Sequence, residues 1–397
     1  MSRRAPSFLV AGSLLLALLG ATPVAAGTPP GPTTHWVDDD GLAGPSTCGQ
    51  LTLASSTIQS AVDASSDGDT ILICPGDYAG QVTIDGVDNL TIRGVSRWTA
   101  HVLPASDHPL NTNLVEINGA TGTTLQWLDF LAPTAGACTG IGAMINAIGA
   151  PGTRIRANHM GIQGLDGIFG CGYARGMLVT GSPSSVIAWN RMVDFKASGV
   201  YVESSDGSLI RGNTIRFNHV TNSPGVVGPV TFGIAVEATD NVGVVRNVVG
   251  GPPTAGVSTP RLGQGISVNG GDAALIRLNR VFRVGSGMTS SSLTDSDYIA
   301  NRVTGSAQVG MLLTAVSGGS TVTGNFVRSS GEQGIRVGGP QSGEMTQLSD
   351  NDFRLNTGLD CDDDTTGAGT SGTANTWTNN LGIDDDPDGI CIDPAAP

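Results

Sequence analysis

Short apolar alternations recur along this chain at a regular spacing. The stretch GVYVESSDGSLIRGNTIRFN, residues 199–218, places Val200 and Val202 on one face of an extended segment and Tyr201 and Glu203 on the other, then runs on to Asn213. The phrase returns as GIAVEATDNVGVVRN, GISVNGGDAALIRLN and GMTSSSLTDSDYIAN. Asparagines stand at 158, 190, 213, 247, 279, 301, 325 and 351, each with an apolar residue three positions before it and another two positions after it. Ile210 and Ile215 flank Asn213 in this way, and Val244 and Val249 flank Asn247. Glycines at 176, 199, 233, 265, 287, 310 and 334 open the alternation. From glycine to asparagine the count is 14 residues in five successive repeats, then 15 and 17.

The uninterrupted unit is about 22 to 24 residues long, a period that marks a solenoid. A leucine-rich repeat has a similar period, but its leucine framework is absent here and β-branched residues dominate. The pattern predicts a coil of three short strands per turn, each strand pairing in parallel with its counterpart one coil away, about 4.8 Å along the axis. Equivalent residues then stack in columns, apolar inside and polar outside. Glycine and asparagine are expected to mark turns, asparagine because it tolerates left-handed backbone and because stacked side-chain amides bond to one another. On this reading the asparagines are structural.

Composition agrees with many short strands joined by tight turns: 58 glycines, 5% aromatic and 14% charged residues among 397 do not describe a helical enzyme. The opening MSRRAPSFLVAGSLLLALLGATPVAAG has a basic start, an apolar centre and small residues before a cut after Ala26, the layout of a secretory signal. The arginines lack the continuation of a twin-arginine signal, and the apolar run is too short to span a bilayer. Residues 1–26 are therefore expected to leave, and residues 27–397 to form the mature domain. Net charge is −14, and losing Arg3 and Arg4 takes it to −16 (−14 − 2). Nucleic acid and anionic membranes, which reward basic surfaces, are disfavoured as partners. Six cysteines in an exported chain imply disulfides, with 15 pairings open.

The GIxVxxSxxNxIxxN-like repeats resemble those of right-handed parallel β-helix proteins of the pectin-lyase-like superfamily. The phrase STIQSAVDASSDGDTILICPGDYAGQVTIDGVDNLTIRG also resembles the N-terminal segment of many such proteins. The resemblance covers roughly residues 35–390 and implies an all-β, single-stranded right-handed parallel β-helix. It implies an N-cap over about 35–75, coils over about 70–356 and a C-terminal cap over about 357–397. Ser56 is expected to cap a short helix carrying Ile58, Ala61 and Val62 on one face, which would cover the open end of the first coil. Because coils in such a fold touch only their neighbours, the resemblance also implies sequential disulfides, Cys48–Cys74, Cys138–Cys171 and Cys361–Cys391. Function does not follow from the fold, since the superfamily hosts lyases, hydrolases, esterases, epimerases and inert spikes. The NTD, DD, GHG and RIK set of polygalacturonases and the DPHD motif of alginate epimerases are missing. So are the catalytic residues of pectin methylesterases, and no histidine or methionine cluster supports copper handling.

Three repeats are interrupted at the same place. Asparagine to the next glycine takes 9 residues in most uninterrupted repeats but 18 after Asn158, 20 after Asn213 and 18 after Asn247. The insertions would form a lip beside the glycine strands, where relatives of this fold have their substrate groove. Its floor would be the outward column four residues after each glycine: Thr180, Glu203, Glu237, Asn269 and Ser291. Glu203 and Glu237 fall one coil apart, a spacing that suits paired carboxylates in glycoside cleavage and equally suits a calcium ion or two solvated surface glutamates. Lys196, the chain's single lysine, lies between two insertions. With Arg175, Arg191 or Arg261 it would supply the base and cationic help that a uronate lyase needs. Tyr201 and Asn269 complete the expected substrate contacts, and His159 and His219 flank the lip. At the C-terminal end, DDDPDG provides Asp384, Asp386 and Asp388 in the spacing of half a calcium loop, but Ala395 stands where the twelfth-position glutamate belongs.

The expectation is an exported, monomeric β-helix that engages a polysaccharide, as a lyase or a glycoside hydrolase acting on an acidic glycan. Calcium is the one cofactor to consider. The alternative is a non-catalytic surface, adhesion or structural module.

Overall fold

The structure, a computed structural model, describes residues 31–43, 48, 52–105, 112–132, 142–162, 175–193, 195, 197–217, 232–251, 263–316, 319–339 and 345–394. The chain winds as a right-handed coil of parallel strands, the hand that parallel crossovers adopt almost without exception. Among the described residues three long sheets run the length of the coil, with 13, 10 and 12 strands. Each is all-parallel, and each strand's neighbours come from the coils before and after. The regular turns contribute one strand that ends shortly before an asparagine, one that begins directly after it, and one that contains or directly follows the glycine. The sheets are called here the pre-asparagine, post-asparagine and glycine sheets. One coil reads Ser198–Glu203, Leu209–Arg211 and Thr214–Arg216.

The three sheets enclose a dry interior built from the predicted apolar rows. Met177, Val200, Ile234, Ile266, Met288, Met311 and Ile335 are in register and buried. Ile187, Ile210, Val244 and Ile276 form the second wall, and Met192, Ile215, Val249 and Val281 the third.

Two reasons given for the punctuation need correction. The asparagines are not the left-handed residues. That conformation falls one position earlier, at Ala157, Trp189, Gly212, Arg246, Leu278 and Ala300, whose φ lies between 52° and 63°. The asparagine that follows turns its amide inward to form the ladder. Nor do the column glycines mark turns: Gly199 and Gly233 lie inside strands Ser198–Glu203 and Phe232–Glu237. A Cβ on Gly233 would stand 2.2 Å from Val249 Cγ1 and 2.5 Å from the carbonyl oxygen of Gly265. Glycine is demanded by close approach of two sheets, not by backbone angle.

Both ends are covered. The helix Ile58–Asp63 buries Ile58, Ala61 and Val62 as expected, but its cap is Thr57, whose side chain accepts from the Ser60 N–H, rather than Ser56. Gln59 accepts from the Thr83 N–H at 2.7 Å and donates to the Thr83 carbonyl at 3.1 Å, so its amide occupies the edge of the first glycine-sheet strand as a further strand would. Cys48 and Cys74 form a disulfide with Cα atoms 5.4 Å apart. Cys361 and Cys391 form another at 6.4 Å. Cys138 and Cys171 lie outside the described residues, as do residues 1–26. Trp377 closes the far end, buried and donating from Nε1 to the Asp363 carboxylate at 2.8 Å.

Candidate functional site

Strand alternation places Tyr201 and Glu203 on the outer face of the glycine sheet, and coil stacking places Glu237 directly beside Glu203. The column reads Thr180, Glu203, Glu237, Asn269, Ser291, as the spacing predicts. Tyr201 lies one step nearer the strand start, in register with Ala235. Its hydroxyl reaches diagonally to the next coil and donates to Glu237 Oε2. The guanidinium of Arg175, from the preceding strand, lies over the Tyr201 ring with Cζ 4.8 Å from its centroid. Asn269 donates from Nδ2 to Ser267 Oγ at 3.0 Å, and Ser291 Oγ donates to Asn269 Oδ1 at 3.0 Å. The outward neighbours Ala235, Ser267 and Thr289 are nearly sealed from solvent, at 1%, 1% and 7% exposure. Polar chemistry on this face is thus concentrated in the half-exposed set Arg175, Tyr201, Glu203, Glu237 and Asn269.

Burial is the largest influence on the Tyr201 phenol and pushes its pKa up. The hydrogen bond to Glu237 and the charges of Glu237 and Glu203 push the same way, against a weaker downward pull from Arg175. Tyr201 therefore stays protonated and acts as a donor that positions Glu237. Among the described residues Glu203 has no such hydrogen-bond partner.

The structure does not bring every expected residue to this place. Arg191 follows Asn190 directly, which puts it in strand Arg191–Val193 of the post-asparagine sheet, away from the carboxylate pair. Lys196, Arg261 and His219 lie outside the described residues, and so does most of each predicted insertion. At the C-terminal end the carboxylates of Asp384, Asp386 and Asp388 are exposed and do not converge. The turn is closed instead by Asp385, whose Oδ2 accepts from the N–H groups of Gly389, Ile390 and Cys391 at 2.8 to 2.9 Å. Among the described residues the three-carboxylate cluster within ligating distance is Asp38–Asp40 at the other end.

Sequence reasoning passed over a second polar column. On the post-asparagine sheet Asp77, His101, Asp129 and His159 are in register on successive coils. His101 Nδ1 is 2.7 Å from Asp77 Oδ1, and His101 Nε2 is 3.7 Å from Asp129 Oδ2. His159 Nδ1 is 2.6 Å from the other Asp129 oxygen, and its ring centroid lies 5.6 Å from that of Trp98. Asp129 is thus nearly buried between two imidazoles. Asp77, His101 and Asp129 precede the first asparagine of the regular series, so spacing gave no signal for them. On the pre-asparagine side, Trp189 is 50% exposed and lines a groove of about 270 Å³ with Arg211, Arg246 and Arg277.

No protein-family model matches the sequence, and no curated protein matches it. Solved structures do share its fold. The catalytic domain of a GH87 alpha-1,3-glucanase in complex with tetrasaccharides superposes with a TM-score of 0.57 at 12% identity, over 83% of this chain and 62% of that one. The same kind of domain in complex with nigerose gives 0.52 at 11%, with the same coverage. The Dettilon tailspike protein gives 0.54 at 14%, over 81% of this chain and 65% of that one. The chain spans less than two thirds of the length of these proteins. At such identities the likeness is one of fold, the right-handed parallel β-helix.

Proposed function

We propose that the protein is exported and engages a polysaccharide along the outer face of the glycine sheet, where Glu203 and Glu237 cleave a glycosidic bond. The observation that carries this reading is the pair of carboxylates in register on adjacent coils, one of them held by the Tyr201 hydroxyl. Strands in register lie about 4.8 Å apart, which lets the two carboxyl groups reach the separation of about 5–5.5 Å that retaining glycosidases use. Glu203 is assigned protonation of the leaving glycosidic oxygen while the Glu237 carboxylate, fixed by Tyr201, bonds the anomeric carbon as the glycosidic bond breaks; Glu203 then takes a proton from the water that displaces Glu237. Arg175 and Asn269 contact the chain on either side. The disulfides favour an oxidising compartment, and no described helix is long and apolar enough to cross a membrane. One fold neighbour was captured with tetrasaccharides, an analogy at the level of fold.

The test is incubation of the mature protein with neutral and acidic polysaccharides, following new reducing ends and unsaturated-uronate absorbance. Hydrolysis predicts reducing ends without unsaturation, lost by about 10²-fold or more in Glu203→Gln, where a positioned acid is removed. Tyr201→Phe should lose less. Unsaturated product abolished by Lys196→Ala would replace hydrolysis with a lyase reaction. Binding without turnover would leave a surface module.

A further inference from the structure

A different face of the coil carries arginines stacked on aromatic rings on successive turns. On the post-asparagine sheet, outward positions directly after each asparagine read Arg191, Thr214, Val248, Arg280, Arg302 in register. The outward positions two further on read Val193, Arg216, Gly250, Phe282, Thr304, Arg328. Arg280 and Arg302 are therefore side by side, and among the described residues neither they nor Arg191 and Arg216 form an ion pair. Like charges directly opposite one another destabilise a sheet, and here they do so in a chain whose net charge is −14. Burial, then Arg280 and Arg191, all draw the Arg216 guanidinium pKa downward.

The arginines are held in place by aromatic plates. Arg216 and Arg280 lie over the Phe282 ring at 4.6 and 5.5 Å, and Arg302 and Arg328 over the Phe326 ring at 4.5 and 4.4 Å. Gly250 makes the first plate possible, since a Cβ there would meet the Phe282 ring at 2.3 Å. The ring thereby crosses the intervening coil to reach Arg216. The track has ends: it begins beside the Asp129–His159 pair and stops where Asp352 binds Arg328 at 2.7 Å and Arg354 at 2.8 Å.

We propose that this arginine–phenylalanine track binds an anionic polysaccharide laid along the coil axis. Guanidinium groups with one face on a ring still offer edge N–H donors, suited to bidentate bonds with carboxylate or sulfate. The coil spacing, about 4.8 Å, is comparable to the length of one sugar in an extended chain, so successive anionic sugars meet successive coils. A nucleic acid presents anions too, but the strongly acidic remainder of the molecule repels one.

The track is separate from the glycine-sheet carboxylates, and its test does not depend on them. Binding of oligogalacturonate and of a sulfated oligosaccharide to the mature protein is measured by calorimetry across a salt series. Arg280→Gln/Arg302→Gln should lower affinity for at least one of them by about tenfold or more, and reduce the slope of log affinity against log salt by about two, as two cations are removed. Whichever oligosaccharide responds identifies carboxylate or sulfate as the anion. Arg154→Gln/Arg156→Gln, exposed on the pre-asparagine sheet, removes equal charge and should leave affinity unchanged. Arg191→Gln, which disturbs no ring contact, should lose affinity even if the double variant does not fold. In a Glu203→Gln background, where the proposed cleavage is disabled, Arg280→Gln/Arg302→Gln should lower affinity by the same factor as in the parent protein, so loss of cleavage alone leaves the track standing. Equal losses in both arginine pairs, no loss in either, or tighter binding of single-stranded DNA would overturn the proposal.

Discussion

The ladder asparagines between Asn158 and Asn380 spend their whole hydrogen-bonding capacity in a buried interior. Asn247, fully buried, accepts at Oδ1 from the Asn213 N–H and the Asn213 Nδ2, both at 3.0 Å. Its own Nδ2 donates to the Ile210 carbonyl at 2.9 Å and to Asn279 Oδ1 at 3.1 Å. Removing the amide strands partners on both neighbouring coils, and each buried unsatisfied group costs about 1–3 kcal/mol. Asn247→Ala should therefore lower unfolding free energy by about 3–5 kcal/mol in urea titration, whereas Gln126→Ala, which loses one exposed contact to Arg156, should cost under about 0.5 kcal/mol. Carboxylates add a pH dependence of definite sign. The Arg354 guanidinium, helped by Arg328, holds Asp352 down to about 2 against the opposing effect of burial. Burial acts upward on Asp69 as well, but N–H bonds from Ser66 and Thr33 and the His35 ring outweigh it and hold the group well below the carboxylate range. Depressed values mean stability that is present above the unfolded value, about 3.9, and lost as pH falls through the folded ones. Melting temperature should drop between roughly pH 4 and 2, and Asp352→Asn should flatten part of that drop.

At the scale of strands, the glycine column governs how closely the glycine sheet approaches the post-asparagine sheet. A Cβ on Gly310 would lie 2.1 Å from Val327 Cγ1 and 2.6 Å from the Gly334 carbonyl oxygen. Gly310→Ala should cost about 1–3 kcal/mol through overpacking, or more if the coil cannot open. Gly181→Ala, at φ +56° with open space around it, should cost only about 1 kcal/mol by backbone preference; chemical denaturation of both variants separates the two causes. The strands themselves were legible because alternation has period two and asparagine recurs at a constant count. The reason for glycine was not, because its clash is with Val327, a residue from another sheet 17 positions on, and spacing carries no information about approach. The candidate site divides in the same way. Glu203 beside Glu237 follows from register alone. The Tyr201 hydroxyl on Glu237 needs a side-chain direction, and Arg191, directly after Asn190, falls on the post-asparagine sheet rather than beside them. Phe282 lying across Gly250 is equally invisible in sequence, since it couples positions 32 residues apart.

Across the whole molecule, stability is a sum over neighbouring coils, so loss of structure starts where a coil has one neighbour instead of two. Central coils are locked by the asparagine ladder running unbroken from Asn158 to Asn380. The ends depend on other devices: the Thr57-capped helix and Cys48–Cys74 at one, Trp377 and Cys361–Cys391 at the other. Cys361 and Cys391 are 30 residues apart, and closing a loop of that length is worth about 3–4 kcal/mol in the chain-entropy account. In a solenoid that energy is not shared evenly. Cys361→Ser/Cys391→Ser should leave amides between Asn213 and Asn301 as protected from hydrogen exchange as in the parent protein. Protection should collapse from Cys361 to Asp393, and limited proteolysis should nick that segment first. Uniform loss of protection along the coil would instead mean that the molecule unfolds as one cooperative unit, with the cap setting the stability of every turn.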